Sequence, residues 1–165
     1  MFNIKQIYCL TLEKNFERWN KLENSLISNK LDIEYNKILG INGHKILMSD
    51  IKKECSNLSQ NFFITHQMYG KTKSHYLMWK EILKKHKDDN DWFIILEDDC
   101  VIPDNFNNYI TKLNEFINKI PKDIIEKTDL FNLSPTGDYS LNKNTNETIM
   151  SLFTKIISLI SSKKN

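Results

Sequence analysis

Residues 92–99 read WFIILEDD, and this stretch decides the fold of the chain. Its first five residues form an apolar run rich in β-branched and aromatic side chains, which is typical of a strand buried on both faces. Three consecutive acids, Glu97, Asp98 and Asp99, follow at once. We therefore predict a central strand of an α/β sheet that ends at a cluster of carboxylates.

The residues that precede this strand predict the opening of a βαβ unit. Residues 4–12 are apolar on both faces, as in a buried first strand. Residues 16–29 carry apolar side chains at three- and four-residue spacing, which is typical of an amphipathic helix. Residues 33–39 predict a second strand, and the glycines of the following loop, residues 40–43, suit positive φ angles.

Further helices are expected along the rest of the chain, so the predicted fold class is α/β with helices on both faces of the sheet. Four helices and one short strand are predicted: helices at 48–57, 73–86, 105–118 with Asp104 as its cap, and 149–162, and a strand at 130–133. The helix at 149–162 is amphipathic and precedes two lysines. Residues 61–68 are ambiguous between strand and irregular structure.

Length and composition favour a single domain over residues 1–165. Hydrophobic residues make up 40% and charged residues 27% of the chain, as in ordinary globular proteins. The net charge of +2 comes from scattered charges, so we expect no nucleic-acid partner. Without a run of about 20 apolar residues we expect no transmembrane segment. The three unpaired-looking cysteines suggest a reducing, cytoplasmic location, with Cys9 and Cys100 as small buried hydrophobes.

The acidic cluster, residues 97–99, suggests a cation site. Adjacent carboxylates repel one another, and a cation offsets their charge. Alternate residues of an extended segment point the same way, so Glu97 and Asp99 can reach one ion while Asp98 points elsewhere. Oxygen ligands favour Mg²⁺ or Mn²⁺, which also bind phosphate oxygens. The alternative is a solvated strand end without a ligand.

Four segments occur in this order along the chain: IYCLTLEKNFERW (7–19), GINGHK (40–45), GKTKSHYLMWKEI (70–82) and WFIILEDDCVIPDNF (92–106). Together they resemble glycosyltransferase family 25, which includes lipooligosaccharide and procollagen galactosyltransferases. The resemblance is strongest over residues 4–108. It implies a GT-A-like sheet that binds a nucleotide sugar, with a uridine diphosphate sugar as donor.

The resemblance also implies roles for the residues of the acidic cluster and for an early arginine. Glu97 and Asp99 match the acidic motif and would hold Mn²⁺ against the donor's diphosphate. Asp98 would orient the donor or a metal-bound water. Arg18 matches the early arginine and would contact the nucleotide or its phosphates, unless it forms a surface ion pair.

The central motif of the resemblance implies a second group of site residues. Gly43 would lie near the nucleotide base, and Gly70, Ser74 and His75 match the central element of the donor site. His75 would hydrogen-bond the donor or support the acidic cluster, unless it is a structural histidine. Trp79 is expected in the core rather than as a platform for the sugar.

The chain departs from the family pattern in places. Thr11 stands where asparagine is common and Lys71 where cysteine is common. Little after Leu133 resembles the family, so the chain is interpreted as a shortened member.

The expected activity is transfer of a hexose, most simply galactose from uridine diphosphate galactose, to a hydroxyl of a glycan or of hydroxylysine. Asp138 is a candidate general base. The alternative function is a non-catalytic subunit that binds a partner through the helix at 149–162. That helix is also the candidate for homo-oligomer contacts or for peripheral contact with a membrane.

Overall fold

The structure, a computed structural model, describes residues 3–55, 64–86, 91–128, 130–132 and 158–161. The strands in these ranges are β1 (Asn3–Thr11), β2 (Glu34–Leu39), β3 (Asp91–Glu97), β4 (Leu130–Asn132) and β5 (Ser158–Ser161). The helices are α1 (Phe16–Ser28), α2 (Met48–Glu54), α3 (His66–Lys85), α4 (Phe106–Lys119) and α5 (Lys122–Ile125), and a 3₁₀ turn spans Gly43–Lys45. The order of the elements follows the prediction up to β4.

The strands form one sheet in the order β2-β1-β3-β5-β4. β1 pairs in parallel with both β2 and β3, while β5 runs antiparallel to β3 and to β4. β3 is therefore a central strand, as predicted. The carboxyl ends of β1, β2 and β3 meet at one edge, which is where ligands of open α/β sheets bind.

Helices cover both faces of this sheet, which confirms the predicted α/β class. On one face, Ile94 and Leu96 of β3 belong to a core with side chains of α1, α4 and α5. On the other face, Phe93 and Ile95 pack with Met78 of α3. Successive side chains of a strand alternate between faces, so the apolar run of β3 is buried on both.

β1 carries a bulge that changes which face of the sheet its side chains point to. Ile4 pairs with Trp92, but Gln6 pairs with the next residue of β3, so Lys5 is extra in the ladder. The bulge places Ile4 and Ile7 in the same core cluster although they are three residues apart. Without it they would point to opposite faces.

α3 begins seven residues earlier than predicted. Its N-cap is Thr65, whose Oγ1 accepts a hydrogen bond from the N–H of Met68 at 3.1 Å. The predicted core position of Trp79 is wrong, since this residue is 39% exposed and lies beside the His75 ring. The buried residues of α3 follow a strict four-residue spacing: Gly70, Ser74, Met78 and Ile82.

The predicted cap of α4 is also wrong. Asn105, not Asp104, is the N-cap residue; its φ is 67° and its side chain makes no capping bond. Instead, Asn29 at the end of α1 accepts the hydrogen bond from the N–H of Phe106 at 2.7 Å. A side chain from another helix thus satisfies a donor of the first turn, which a local capping rule does not foresee.

The predicted C-terminal helix is contradicted where the structure describes it. Ser158–Ser161 form β5, which lies between β3 and β4, and not the end of a helix over 149–162. The physical reason is that β3 pairs with β1 on one side only. Pairing with β5 on its other side satisfies the remaining backbone donors and acceptors of β3. Residues 149–157 and 162 lie outside the described residues.

Two predictions from composition can be compared with the described residues. Cys9 and Cys100 are buried as expected, and burial raises the pKa of each thiol to about 12. Among the described residues, no helix has the length and apolar character needed to cross a membrane.

Candidate functional site

A cavity of about 300 Å³ opens at the carboxyl edge of the sheet. The ends of β1 and β3, the loop after β2, the first turn of α1 and the N-terminal half of α3 all contribute to its walls. We call it the edge cavity. Its polar lining residues include Thr11, Asn15, Arg18, Gln67, Lys71, Ser74, Glu97, Asp98 and Asp99.

Asp98 points toward the α1 side of the sheet and is buried. Its Oδ2 accepts hydrogen bonds from Thr11 Oγ1 at 2.6 Å and from Asn15 Nδ2 at 2.8 Å. Its Oδ1 lies 3.7 Å from a guanidinium nitrogen of Arg18. Asp98 therefore ties β1, the start of α1 and the end of β3 together, and it holds Arg18 at the cavity.

Glu97 points to the opposite side, toward α3, as alternation along β3 requires. Its Oε1 accepts a hydrogen bond from His75 Nε2 at 3.1 Å, and Lys71 Nζ lies 2.9 Å from Oε1 and 3.1 Å from Oε2. The hydrogen bond with His75, aided by Lys71, lowers the pKa of Glu97 although burial opposes this. The predicted divergence of Asp98 from Glu97 is confirmed.

Asp99 occupies a turn rather than an extended segment. β3 ends at Glu97, and the N–H of Cys100 donates to the carbonyl of Glu97 at 3.0 Å, which closes the turn. The premise that Glu97 and Asp99 lie on one side of an extended segment is therefore wrong. Within the described part of the chain, the exposed carboxylate of Asp99 makes no hydrogen bond or ion pair and lines the edge cavity.

Gly43 and Gly70 pack backbone against backbone. A Cβ on Gly43 would lie 1.7 Å from the carbonyl oxygen of His66, and one on Gly70 would lie 2.6 Å from the nitrogen of Gly43. Neither glycine has a positive φ, so close approach and not turn geometry requires them. They join the loop after β2 to α3 and do not line the edge cavity; their contact with a nucleotide stays a prediction.

Ser74 fixes the same loop and also lines the edge cavity. Its hydroxyl donates to the carbonyl of Gly70 at 2.6 Å and accepts from the N–H of Ile41 at 2.7 Å. The position of the loop at the mouth of the cavity thus depends on α3. Asp138, the candidate general base, lies outside the described residues.

Sequence reasoning missed Lys71 and Gln67 as site residues. The signal was available, because Gln67, Lys71 and His75 recur every four residues and so share one face of a helix. The predicted helix starts at residue 73, so Gln67 and Lys71 lie outside it and the shared face was not recognised. Thr11 and Asn15 were missed for another reason: their partner Asp98 is more than 80 residues away in the sequence.

The residues of the edge cavity fit a divalent metal that is shared with phosphate oxygens of a ligand. Mg²⁺ and Mn²⁺ are commonly bound by one or two carboxylates together with substrate phosphates. Asp99 offers such a carboxylate, exposed and unpaired within the described residues. Glu97 already holds Lys71 and His75, so its part in metal binding stays a prediction. The described residues contain no cluster of three or more His, Cys, Asp or Glu that could hold an ion by themselves.

Comparison with known proteins identifies the family of the chain. A search of curated proteins found no match. The model of one family, described as glycosyltransferase family 25 (LPS biosynthesis protein), matches residues 4–163. The match confirms the resemblance and extends it well past residue 108, over nearly all of the sequence. The chain therefore belongs to glycosyltransferase family 25.

Proposed function

We propose that the chain transfers a hexose from a nucleotide diphosphate sugar that binds in the edge cavity. Membership of the family supports glycosyltransferase activity. The observation that carries the finer proposal is the lining of the cavity, which includes the cations Arg18 and Lys71 and the carboxylate of Asp99, unpaired within the described residues. The guanidinium group of arginine and the ammonium group of lysine commonly bind phosphate.

The charge of the lining favours a metal ion in addition to these side chains. Arg18 and Lys71 face three carboxylates, so the lining residues alone are net negative. An anionic diphosphate needs a further positive charge to bind there. Asp99 would hold Mn²⁺ or Mg²⁺, and such an ion stabilises the negative charge that develops on the departing nucleoside diphosphate.

The protein's own residues orient the donor. Asp98, fixed by Thr11 and Asn15, holds the guanidinium of Arg18 toward the cavity. The loop at Gly40 and Ile41 forms a wall whose position Ser74 sets. We assign the contact with the nucleotide to this wall, since it is the part of the cavity lining that lies after β2.

The sugar and the acceptor are inferred from the family alone. Uridine diphosphate galactose is the proposed donor, and a glycan hydroxyl is the proposed acceptor because the family description names LPS biosynthesis. One of the two supports for the alternative, a non-catalytic, partner-binding subunit, is weakened. The helix at 149–162 that was to carry the partner is replaced at Ser158–Ser161 by a strand inside the sheet.

The test is a calorimetric titration of the full chain with uridine diphosphate and its galactose and glucose conjugates, with and without Mn²⁺. We expect binding that strengthens with Mn²⁺ in the wild type and is lost in Asp99→Ala. Asp104→Ala, an exposed aspartate outside the cavity lining, is the matched control and should bind like the wild type. If the wild type binds none of these ligands under either condition, the proposal fails.

A further inference from the structure

We propose that Lys71 is a phosphate-binding residue of the donor site: its ammonium, positioned by Glu97, contacts the diphosphate of the nucleotide sugar. This inference rests on the proposed function, since it assigns a residue to the same cavity. Nothing in the sequence pattern of the acidic cluster points to a lysine there. The contacts of Glu97 carry the argument.

Glu97 holds the ammonium of Lys71 through both of its carboxylate oxygens. The Nζ atom lies 2.9 Å from Oε1 and 3.1 Å from Oε2, and His75 binds Oε1 from its own position on α3 at 3.1 Å. The Glu97 side chain is 20% exposed, so its orientation is constrained by the surrounding protein. A carboxylate fixed in this way restricts a lysine that would otherwise sample many rotamers.

The ammonium keeps the capacity to bind a second anion. A lysine has three N–H donors, and Glu97 has two oxygens, so at least one donor remains. The Lys71 side chain is 59% exposed and lines the edge cavity, so this donor is accessible to a ligand there.

Lys71 and Arg18 reach the cavity from opposite faces of the sheet. Arg18 belongs to α1 and is paired with Asp98, whereas Lys71 belongs to α3 and is paired with Glu97. Each cation thus has its own carboxylate from consecutive residues of the acidic cluster. Two cations that converge on one cavity suit a diphosphate, which has anionic oxygens on both phosphorus atoms.

The experiment compares calorimetric binding of uridine diphosphate and of uridine by the full chain with saturating Mn²⁺. We expect Lys71→Met to weaken uridine diphosphate binding by about tenfold to a hundredfold, the range for a lost hydrogen bond to a charged group. Uridine binding should not change, because uridine lacks phosphates. Lys71→Arg should recover most of the affinity.

Lys84→Met is the matched control, since Lys84 is an exposed lysine of α3 that does not line the cavity. It should bind like the wild type. Unchanged or tighter binding of uridine diphosphate by Lys71→Met overturns the assignment of Lys71 and leaves the donor site standing. A wild type that does not bind uridine diphosphate overturns the donor site together with this inference.

Discussion

Asp98 and Asp99 are neighbours in the sequence but meet different surroundings. Asp98 is buried, with Thr11, Asn15 and Arg18 around its carboxylate. Asp99 is exposed in the turn that follows β3. Removing the hydrogen-bond partner of a buried polar group destabilises the folded state, whereas an exposed group can bind water instead. We therefore expect substitution of Asp98 to lower the stability of the fold, and substitution of Asp99 to affect ligand binding alone.

We predict that Asp98→Ala lowers the free energy of unfolding by about 1–3 kcal/mol, because the substitution removes the acceptor for Thr11 and Asn15. Asp99→Ala should change it by no more than about 0.5 kcal/mol, as is usual for exposed positions. Urea unfolding followed by circular dichroism measures both. Equal losses of stability in the two variants would contradict the roles assigned to them.

α3 organises the site through two ridges on its surface. One ridge is buried and includes Gly70 and Ser74, which hold the loop after β2. The neighbouring ridge carries Lys71 and His75 to Glu97. Because both ridges belong to one helix, a shift of α3 would move the loop wall and Lys71 together, while Arg18 stays with α1.

We predict that Gly70→Ala destabilises the protein by about 1–3 kcal/mol, the range for overpacking. In an exposed helix interior the same change would stabilise by up to about 1 kcal/mol. The sign reverses here because the new Cβ would lie 2.6 Å from the nitrogen of Gly43 and 2.8 Å from the carbonyl oxygen of Ile41.

The control for this prediction is Lys80→Ala, an exposed position on the same helix. Thermal unfolding of the two variants beside the wild type gives the comparison. A higher melting temperature for Gly70→Ala would show that the loop and α3 are not packed as described.

At the scale of the whole molecule, the sheet depends on a strand from near the end of the chain. β5 lies between β3 and β4, so residues far apart in the sequence complete the edge of the parallel strands. An unpaired β3 would expose backbone donors and acceptors and would be prone to association.

We predict that Ile160→Pro lowers the free energy of unfolding by at least about 1–3 kcal/mol, because proline removes an N–H from a strand flanked on both sides. Ile160→Val is the control, since valine also suits a strand. Denaturant unfolding with light scattering measures stability and association. If the proline variant is as stable as the valine variant, residue 160 is not in the sheet.

The sequence by itself determined β1 to β4, the helices on both faces and the placing of an acidic cluster after β3. These features follow from the local periodicity of apolar residues and from the apolar run of residues 92–96. Both are patterns among residues that are close together in the sequence. The family resemblance over its motifs also needed no structure. For the helices predicted before β4 the errors stayed at the helix ends, as at Thr65 and Asn105, where capping geometry decides.

Only the tertiary structure decided which acid of the cluster has no partner among the described residues and which residues surround the other two. The partners of Asp98 and Glu97 lie between 22 and 87 residues away, and no local pattern encodes such contacts. The same holds for β5 and for the two glycines: the backbone of His66 requires Gly43, and the backbone of Gly43 and Ile41 requires Gly70. The amphipathic stripe predicts a helix at 149–162, but pairing with β3 overrides local propensity at Ser158–Ser161 because it satisfies the backbone of a central strand.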